Sequence, residues 1–263
     1  MPLSKFNSDE YVAHYTSLDT VVKYIIPTNK IRISSFEVLN DPYETVFDWL
    51  EKGLNISEIT FEENDQNDLE FQKIKENIKK NIKIFSTTTF DEKNKNTADI
   101  SNDIYCRPRM WAQYGDNHEG VCLIFDKKEL HIEFESSRKV AVIADKVEYN
   151  NFISLIENSV TIEPTKLKSL SNDPYKLYEQ LNNNQQLTSR FFRKHNDWES
   201  ENEYRWLVYS EDESEFDLDF KKSLKAIVFG SKVNDRYFRT LKDDGIPLYS
   251  LKFNNGKYKV LEV

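Results

Sequence analysis

A chain of 263 residues with 38% hydrophobic and 13% aromatic side chains, 14 Tyr and 17 Phe among them, holds enough apolar material for a packed interior, which excludes a disordered polyelectrolyte. Six Gly and seven Pro exclude low-complexity sequence. A formal net charge of -9 argues against a dedicated nucleic-acid binder and leaves only a local basic groove for that role.

The remaining global signals are few. Cys106 and Cys122 stand in no metal-type spacing, and Cys122 lies in an apolar run as a small buried hydrophobe. The opening MPLSKFNSDEY has no apolar signal core, and no window approaches a membrane span. These features predict a reduced, cytoplasmic protein with no membrane partner.

Taken in order, Tyr11 to Thr16 reads as a strand with Val12, His14 and Thr16 on one face. Thr16-x-x-Asp19 has the form of a capping box, and Leu18, Val21, Val22, Ile25 and Ile26 follow at helical spacing up to Pro27. Ile31 to Ser35 is a short strand, and Asn40-Asp41-Pro42 a turn. From about Glu51 to Asn81 the chain is acidic, then lysine-rich, with Leu69, Ile74 and Ile78 at weak helical spacing. That pattern predicts a mobile helical insertion with a solvated charged face.

Ile82 to Thr89 is a strand ending in hydroxyls, and Asp91 to Asp103 a polar loop. Met110 to Ala112 forms a short helix, and Gly115, Asp116 and Asn117 form a turn. Val121 to Phe125 is a buried strand and Lys139 to Tyr149 a strand or hairpin arm. Ser154 to about His195 reads as largely helical, with Leu177, Leu181, Phe191 and Phe192 as anchors; Asn183 to Gln186 is a helix surface or loop. Tyr204 to Tyr209 is strongly β-prone. Strands at Lys225 to Gly230, Pro247 to Phe253 and Lys257 to Val263 close the chain, with a helical span from about Asp235 to Lys242. The order of elements predicts one α+β domain over 1–263, with mixed or antiparallel sheets and helices in the connections. A charged helical insertion near 51–81 and a helical segment near 154–195 are set into it.

Three places hold residues fit for chemistry. His14 sits on the first strand. Trp111, Tyr114 and His118 crowd beside a core strand, where they form either a ligand pocket or a buried aromatic corner with a capping histidine. Glu201, Glu203 and Arg205 share one face if 201–205 is a strand, either as a site or as a solvated edge with Arg205 pairing one Glu. No P-loop, G-x-G-x-x-G or G-x-S-x-G is present, and the four histidines have no paired-ligand spacing, so no metal is expected. The run Arg190-Phe191-Phe192-Arg193-Lys194-His195 mixes cations and aromatics but reads as core plus a solvated face.

AHYT at 13–16, NDPYE at 40–44, FSTTT at 85–89, MWAQYGDNHEGVCLIFD at 110–126 and WESENEYRWLV at 198–208 together resemble the bacterial DUF2971 family, from Tyr11 to about Gly230. That family is in turn loosely similar to the ADP-ribosyltransferase fold. This second resemblance implies an ADP-ribosyltransferase-like architecture and NAD as substrate. It matches His14 on an early strand, Ser86-Thr87-Thr88 in place of S-T-S, and Glu201-Asn202-Glu203 as the late acidic motif. The W-x-x-Y-x-x-x-H block has no counterpart there.

Under this resemblance Glu203 faces the developing oxocarbenium, Glu201 orients or deprotonates the acceptor, and His14 bonds the adenosine ribose. Ser86 and Thr87 lie on the NAD side. Tyr114 and Trp111 stack on nicotinamide, and Arg205 or Arg109 neutralises pyrophosphate. His118 borders the NAD site or only holds its turn. The expectation is an NAD-consuming transferase or glycohydrolase, of the kind used as toxins or phage-defence effectors, with an unidentified acceptor and a regulator or antitoxin as partner. The alternatives are a non-catalytic nucleotide- or protein-binding module using the Trp111 cleft, and a metal-independent nuclease using His14, His118 and a Glu.

Overall fold

The two-residue period of the strands decides which side chains meet at the site. In Tyr11–Thr16 (β1), Val12 enters one apolar cluster while Ala13 and Tyr15 enter another, so the strand is buried on both faces. The computed structural model describes residues 2–39, 41, 44, 50–53, 61–94, 99–137, 141–151, 160–183, 188–210, 216–220 and 222–263. After β1 the strands are Lys30–Ser35 (β2), Leu50–Lys52 (β3), Ile82–Thr89 (β4), Val121–Asp126 (β5), Ala141–Lys146 (β6) and Glu148–Asn150 (β7). They continue with Val160–Ile162 (β8), Arg193–His195 (β9), Glu203–Tyr209 (β10), Phe216–Asp219 (β11), Leu224–Phe229 (β12), Leu248–Asn254 (β13) and Lys257–Glu262 (β14).

Among the described residues one sheet runs β11-β2-β4-β1-β5-β12-β13-β14, with β10 on β4 and β6 on β10. Its pairs are antiparallel except β12 with β13. Two short parallel pairs, β3–β8 and β7–β9, lie outside it. Helices fill the connections, so the fold is α+β with a mostly antiparallel sheet.

The sheet splits at β4. One edge of β4 carries β10 along its whole length, from Tyr209 opposite Ile82 to Glu203 opposite Thr88. The other edge is shared. β2 pairs there at Lys83 and Ile84, and β1 pairs at Thr88 and Thr89. Between those pairs lie Phe85, Ser86 and Thr87, where β1 and β2 part. An opening inside a sheet exposes main-chain groups that need partners. His14 supplies one: its Nδ1 lies 3.0 Å from the Ser86 carbonyl oxygen.

Several sequence expectations change at the level of local geometry. Thr16 is paired with Val121 inside β1, so the helix cap falls to Ser17, whose Oγ accepts the Thr20 N–H at 3.1 Å. The helix runs through Leu18–Thr20, a π turn over Val21–Ile25, and Ile26–Thr28. Pro27 sits within its last turn, Ile26 N–H donates to the Val21 carbonyl five residues back, and Asn29 at φ 53° ends the helix. The helix beginning Pro108–Gln113 is longer than expected, with Pro108 in its first turn. Asp91–Asp103 contains two 3-10 turns, Glu92–Asn94 and Ile100–Asn102, and residues 95–98 lie outside the described set.

The 51–81 stretch differs most. It holds β3 and the helix Phe61–Asn81, and the helix is part of the core: Phe71, Ile74 and Ile78 pack with Ile82, Ile84, Leu167, Leu170 and Leu207. Leu69 is exposed, so the buried stripe is offset from the expected one. Ile74→Ala should therefore lose about 2–5 kcal/mol in urea unfolding; a solvated arm would lose almost nothing.

The 154–195 stretch begins outside the described residues, as do residues 184–187 and the side chains of Leu177 and Leu181. It contains β8, the helices Pro164–Asn172 and Pro174–Asn183, and the 3-10 turn Ser189–Phe192. It ends in β9 rather than a helix, because Arg193–His195 pairs with Glu148–Asn150. Phe191 and Phe192 stay in the core, and Lys194 is buried. No described helix is long and apolar enough to cross a membrane.

Candidate functional site

A cavity of about 180 Å³ opens at the split in the sheet. His14 and Tyr15 from β1, Ser86 and Thr87 from β4, Tyr114, Glu201, and Glu203 and Arg205 from β10 all line it. So do Arg32 and Ser34 from β2 and Lys194 from β9. Seven of the residues expected at the site, His14, Ser86, Thr87, Tyr114, Glu201, Glu203 and Arg205, thus face one space, though separated by up to most of the chain.

β10 delivers its pair by strand alternation. Glu203 and Arg205 point with Leu207 toward one side, while Trp206 and Val208 join the core on the other. Glu201 arrives differently from the spacing expectation. It ends a 3-10 turn, Asn196–Glu201, and is off the strand. Asn202 takes a left-handed conformation, φ 46°, which Asn tolerates, and this re-aims the chain. Asn202 is locked to β4 by its Nδ2 on the Thr89 carbonyl at 2.8 Å and by Thr89 N–H on its own carbonyl at 2.9 Å. Arg107 clamps the same corner, donating to the carbonyls of Thr89, Ser200 and Glu201.

The floor of the cavity is an ion cluster. Arg205 grips both Glu203 oxygens through Nε and Nη2, and gives Nη1 to Glu44 and to the Phe191 carbonyl. Lys194 Nζ lies 2.7 Å from Glu201, 3.4 Å from Glu203 and 3.8 Å from Glu44. Tyr114 Oη donates to Glu201 Oε1 at 2.6 Å. All five charged side chains are buried, so each would be costly alone. Lys194 and Glu44 are two of its five charged groups, and the sequence marks neither as functional. The only signal for Glu44 was its place in NDPYE; Lys194 was hidden in a run that reads as helix.

The cluster sets its own protonation. Burial raises the Glu203 carboxyl, but Arg205 and then Lys194 outweigh it and hold Glu203 ionised, at about 2. For Glu44 burial wins over Arg205, helped by the nearby Glu203 charge, and its carboxyl is raised. Glu44 Oε2 is buried and receives no hydrogen bond among the described residues. Burial opposes the Lys194 charge, yet Glu203 and Glu44 raise it above the ordinary lysine value.

Burial also lowers the His14 imidazole, and the Ser86 carbonyl bond only partly resists. His14 therefore sits neutral, with Nδ1–H donated to Ser86 and Nε2 as its second ring nitrogen. A group with a depressed folded pKa stabilises above its unfolded value and loses that contribution as pH falls. The thermal midpoint should drop as pH falls below about 6.5, and His14→Gln should flatten that drop in scanning calorimetry.

Three expected residues lie elsewhere. Trp111 is wholly buried, donates Nε1–H to the Tyr105 carbonyl at 3.1 Å, and meets Tyr15 edge-on at 5.0 Å. Its ring is pressed by glycines: a Cβ on Gly115 would lie 2.5 Å from Trp111 Cε3, and one on Gly230 3.0 Å from Cζ3. His118 stacks between Trp111 and Tyr258, at 6.4 and 6.5 Å. Arg109 is exposed and donates to the Asp197 carbonyl and Ser200 Oγ, both at 2.8 Å. None of the three lines the cavity. Trp111 and His118 form the aromatic corner, and it is Tyr114 that turns from it toward the cavity.

The fold and cavity define an α+β protein with a buried carboxylate and guanidinium cluster at a split sheet. Residues 110–206 match the model of a family described as "Protein of unknown function (DUF2971)". The match includes Tyr114, Lys194, Glu201, Glu203 and Arg205. No curated protein matches the chain, and no solved structure does.

Proposed function

We propose that the cavity binds NAD and cleaves its bond between nicotinamide and ribose, as an ADP-ribosyltransferase or NAD glycohydrolase does. The observation that carries this reading is the gathering of His14, Ser86, Tyr114, Glu201 and Glu203 around one cavity where β1 and β2 part on β4. The NAD reading requires His14, Tyr114 and Glu203 to converge on one cleft, and this gathering supports it.

The chemistry suits the residues. As the C1′–N1 bond breaks, its electron pair goes to the pyridinium nitrogen and positive charge develops on the ribose. An ionised carboxylate aimed at the ribose strengthens its bond to the 2′-hydroxyl as that charge grows. Glu203 is held in that state by Arg205 and Lys194. Glu201, tied to Tyr114 and Lys194, is placed to orient an acceptor hydroxyl or water, whose proton it takes as the acceptor attacks C1′. His14, neutral and with Nδ1 committed to Ser86, offers Nε2 to a ribose hydroxyl.

One observation favours a second reading, a non-catalytic nucleotide-binding module. Each carboxylate of the cluster is already paired with Lys194 or Arg205, as a rigid recognition pocket requires. The nuclease reading needs His118 beside His14, and His118 is not among the cavity's lining residues. A toxin or effector role, and a regulator as partner, follow from the resemblance alone. The test is nicotinamide release from NAD by the purified full chain. Release is expected. NAD binding without release would leave the binding module; neither binding nor release would end both readings.

A further inference from the structure

Glu201 and Glu203 are close neighbours in sequence, yet different parts of the chain hold them. β6 leaves β10 opposite Tyr204, and the residues that follow β6 take over at Glu203. Val147 N–H donates to the Glu203 carbonyl at 2.9 Å, and Glu203 N–H donates to Tyr149 Oη at 2.8 Å. The Glu203 carboxylate then belongs mainly to Arg205.

Glu201 is held from the other side, by the segment that begins at Arg107 and ends at Tyr114. Arg107 Nη1 donates to the Ser200 and Glu201 carbonyls at 3.2 and 3.3 Å, and Nη2 to the Thr89 carbonyl at 3.0 Å. Thr88 Oγ1 donates to the same Glu201 carbonyl. Tyr114, at the far end of the helix Pro108–Gln113, holds the Glu201 carboxylate. One short helix therefore fixes Glu201 by its main chain at one end and by its side chain at the other. Arg107 is buried, and its charge is spent on three carbonyls. A planar guanidinium spans several acceptors in a fixed fork, which an ammonium does far less rigidly. The corner it fixes needs holding, because Asn202 between the two acids is left-handed.

We propose that Arg107 is a positioning residue for Glu201, setting that carboxylate through its main chain and separately from Glu203. Arg107 is not among the cavity's lining residues and acts only through Glu201. What Glu201 does rests on the NAD reading above. In that reaction the acceptor oxygen bonds C1′, the C1′–N1 electron pair leaves with nicotinamide, and the acceptor proton passes to Glu201. How Glu201 is placed does not depend on that reading.

The experiment has two readouts on the full chain, taken for wild type, Arg107→Met, Arg107→Lys, Glu201→Gln and the double variant Arg107→Met with Glu201→Gln. The first is a crystal structure of Arg107→Met. Glu201 should leave Tyr114 and Lys194, while Glu203 stays on Arg205. The second is nicotinamide release from NAD. Glu201→Gln should lower kcat by about 10²-fold, and Arg107→Met by about tenfold with KM changed less than about twofold. The double variant should match Glu201→Gln alone within about twofold, because Arg107 has nothing left to position. Arg107→Lys should restore part of the loss. Glu201 unmoved in the Arg107→Met structure, or single losses that multiply in the double variant, would overturn the proposal. Failure of the NAD reading looks different: wild type then releases no nicotinamide, and the structure alone decides whether Arg107 places Glu201. If Arg107→Met does not fold, Arg107→Lys carries both comparisons, with a smaller displacement and a smaller loss expected.

Discussion

Arg205→Ala should destabilise the protein by about 3–5 kcal/mol, measured as the urea unfolding free energy at neutral pH. The guanidinium is almost fully buried and holds both oxygens of Glu203 and one of Glu44. Removing it leaves Glu44 and Glu203 in a buried site with Lys194 as their cation, which Glu201 also shares. Most of the loss is the penalty of those stranded charges, not the net worth of the pairs. That distinction has its own test. Arg205→Met combined with Glu44→Gln and Glu203→Gln removes the charges together and should be much closer to wild type than Arg205→Ala. If Arg205→Ala loses less than about 1 kcal/mol, the cluster is hydrated and the burial argument is wrong.

The second large effect is on turnover. Glu203→Gln should lower kcat for nicotinamide release by about 10²- to 10³-fold, the range for removing one preorganised electrostatic group from a transition state. The amide is nearly isosteric and can still accept from Arg205, so the fold should persist. What it lacks is the full negative charge that strengthens as the ribose becomes cationic. KM should change far less than kcat, because the missing interaction belongs mainly to the transition state. A Glu203→Gln protein that turns over within about threefold of wild type would remove Glu203 from the reaction.

Much of the frame was legible because it rests on short-range rules. β1, β4, β5 and β10 stand out as short apolar or β-prone runs, and the two-residue period of a strand places Glu203 and Arg205 on one face. His14, Tyr114 and Glu203 stand out by residue type and placement, Ser86 enters with the resemblance, and the split sheet brings all four to one cavity. Long-range pairing was not legible. Nothing in the spacing of Arg190 to His195 reveals that three of those residues pair with Glu148–Asn150, and that register is what buries Lys194 in the cluster. Nor does it reveal that Glu44 crosses 161 positions to reach Arg205.

The aromatic block leaves two readings open in the sequence, pocket or buried corner, for a related reason. Trp111 and Tyr114 are three residues apart, which suggests a shared face, but the helix ends at Gln113 and Tyr114 caps it. The small size of Gly115 and Gly230 lets the Trp111 ring settle against backbone, and its Nε1–H finds the Tyr105 carbonyl. Glu201 was placed on a strand because a run of alternating polar residues gives no sign of a left-handed Asn202. In each case the local pattern was compatible with two outcomes and a distant contact chose between them.

The most direct measurement is a structure of the full chain bound to carba-NAD+, in which a methylene replaces the ribose ring oxygen so that the glycosidic bond stays intact. The expected result places the nicotinamide ring in the cavity among His14, Tyr114 and Glu203, with the ribose 2′-hydroxyl on Glu203. Ligand bound at another surface, or an empty cavity at saturating ligand, would contradict the assignment of this cavity as the site.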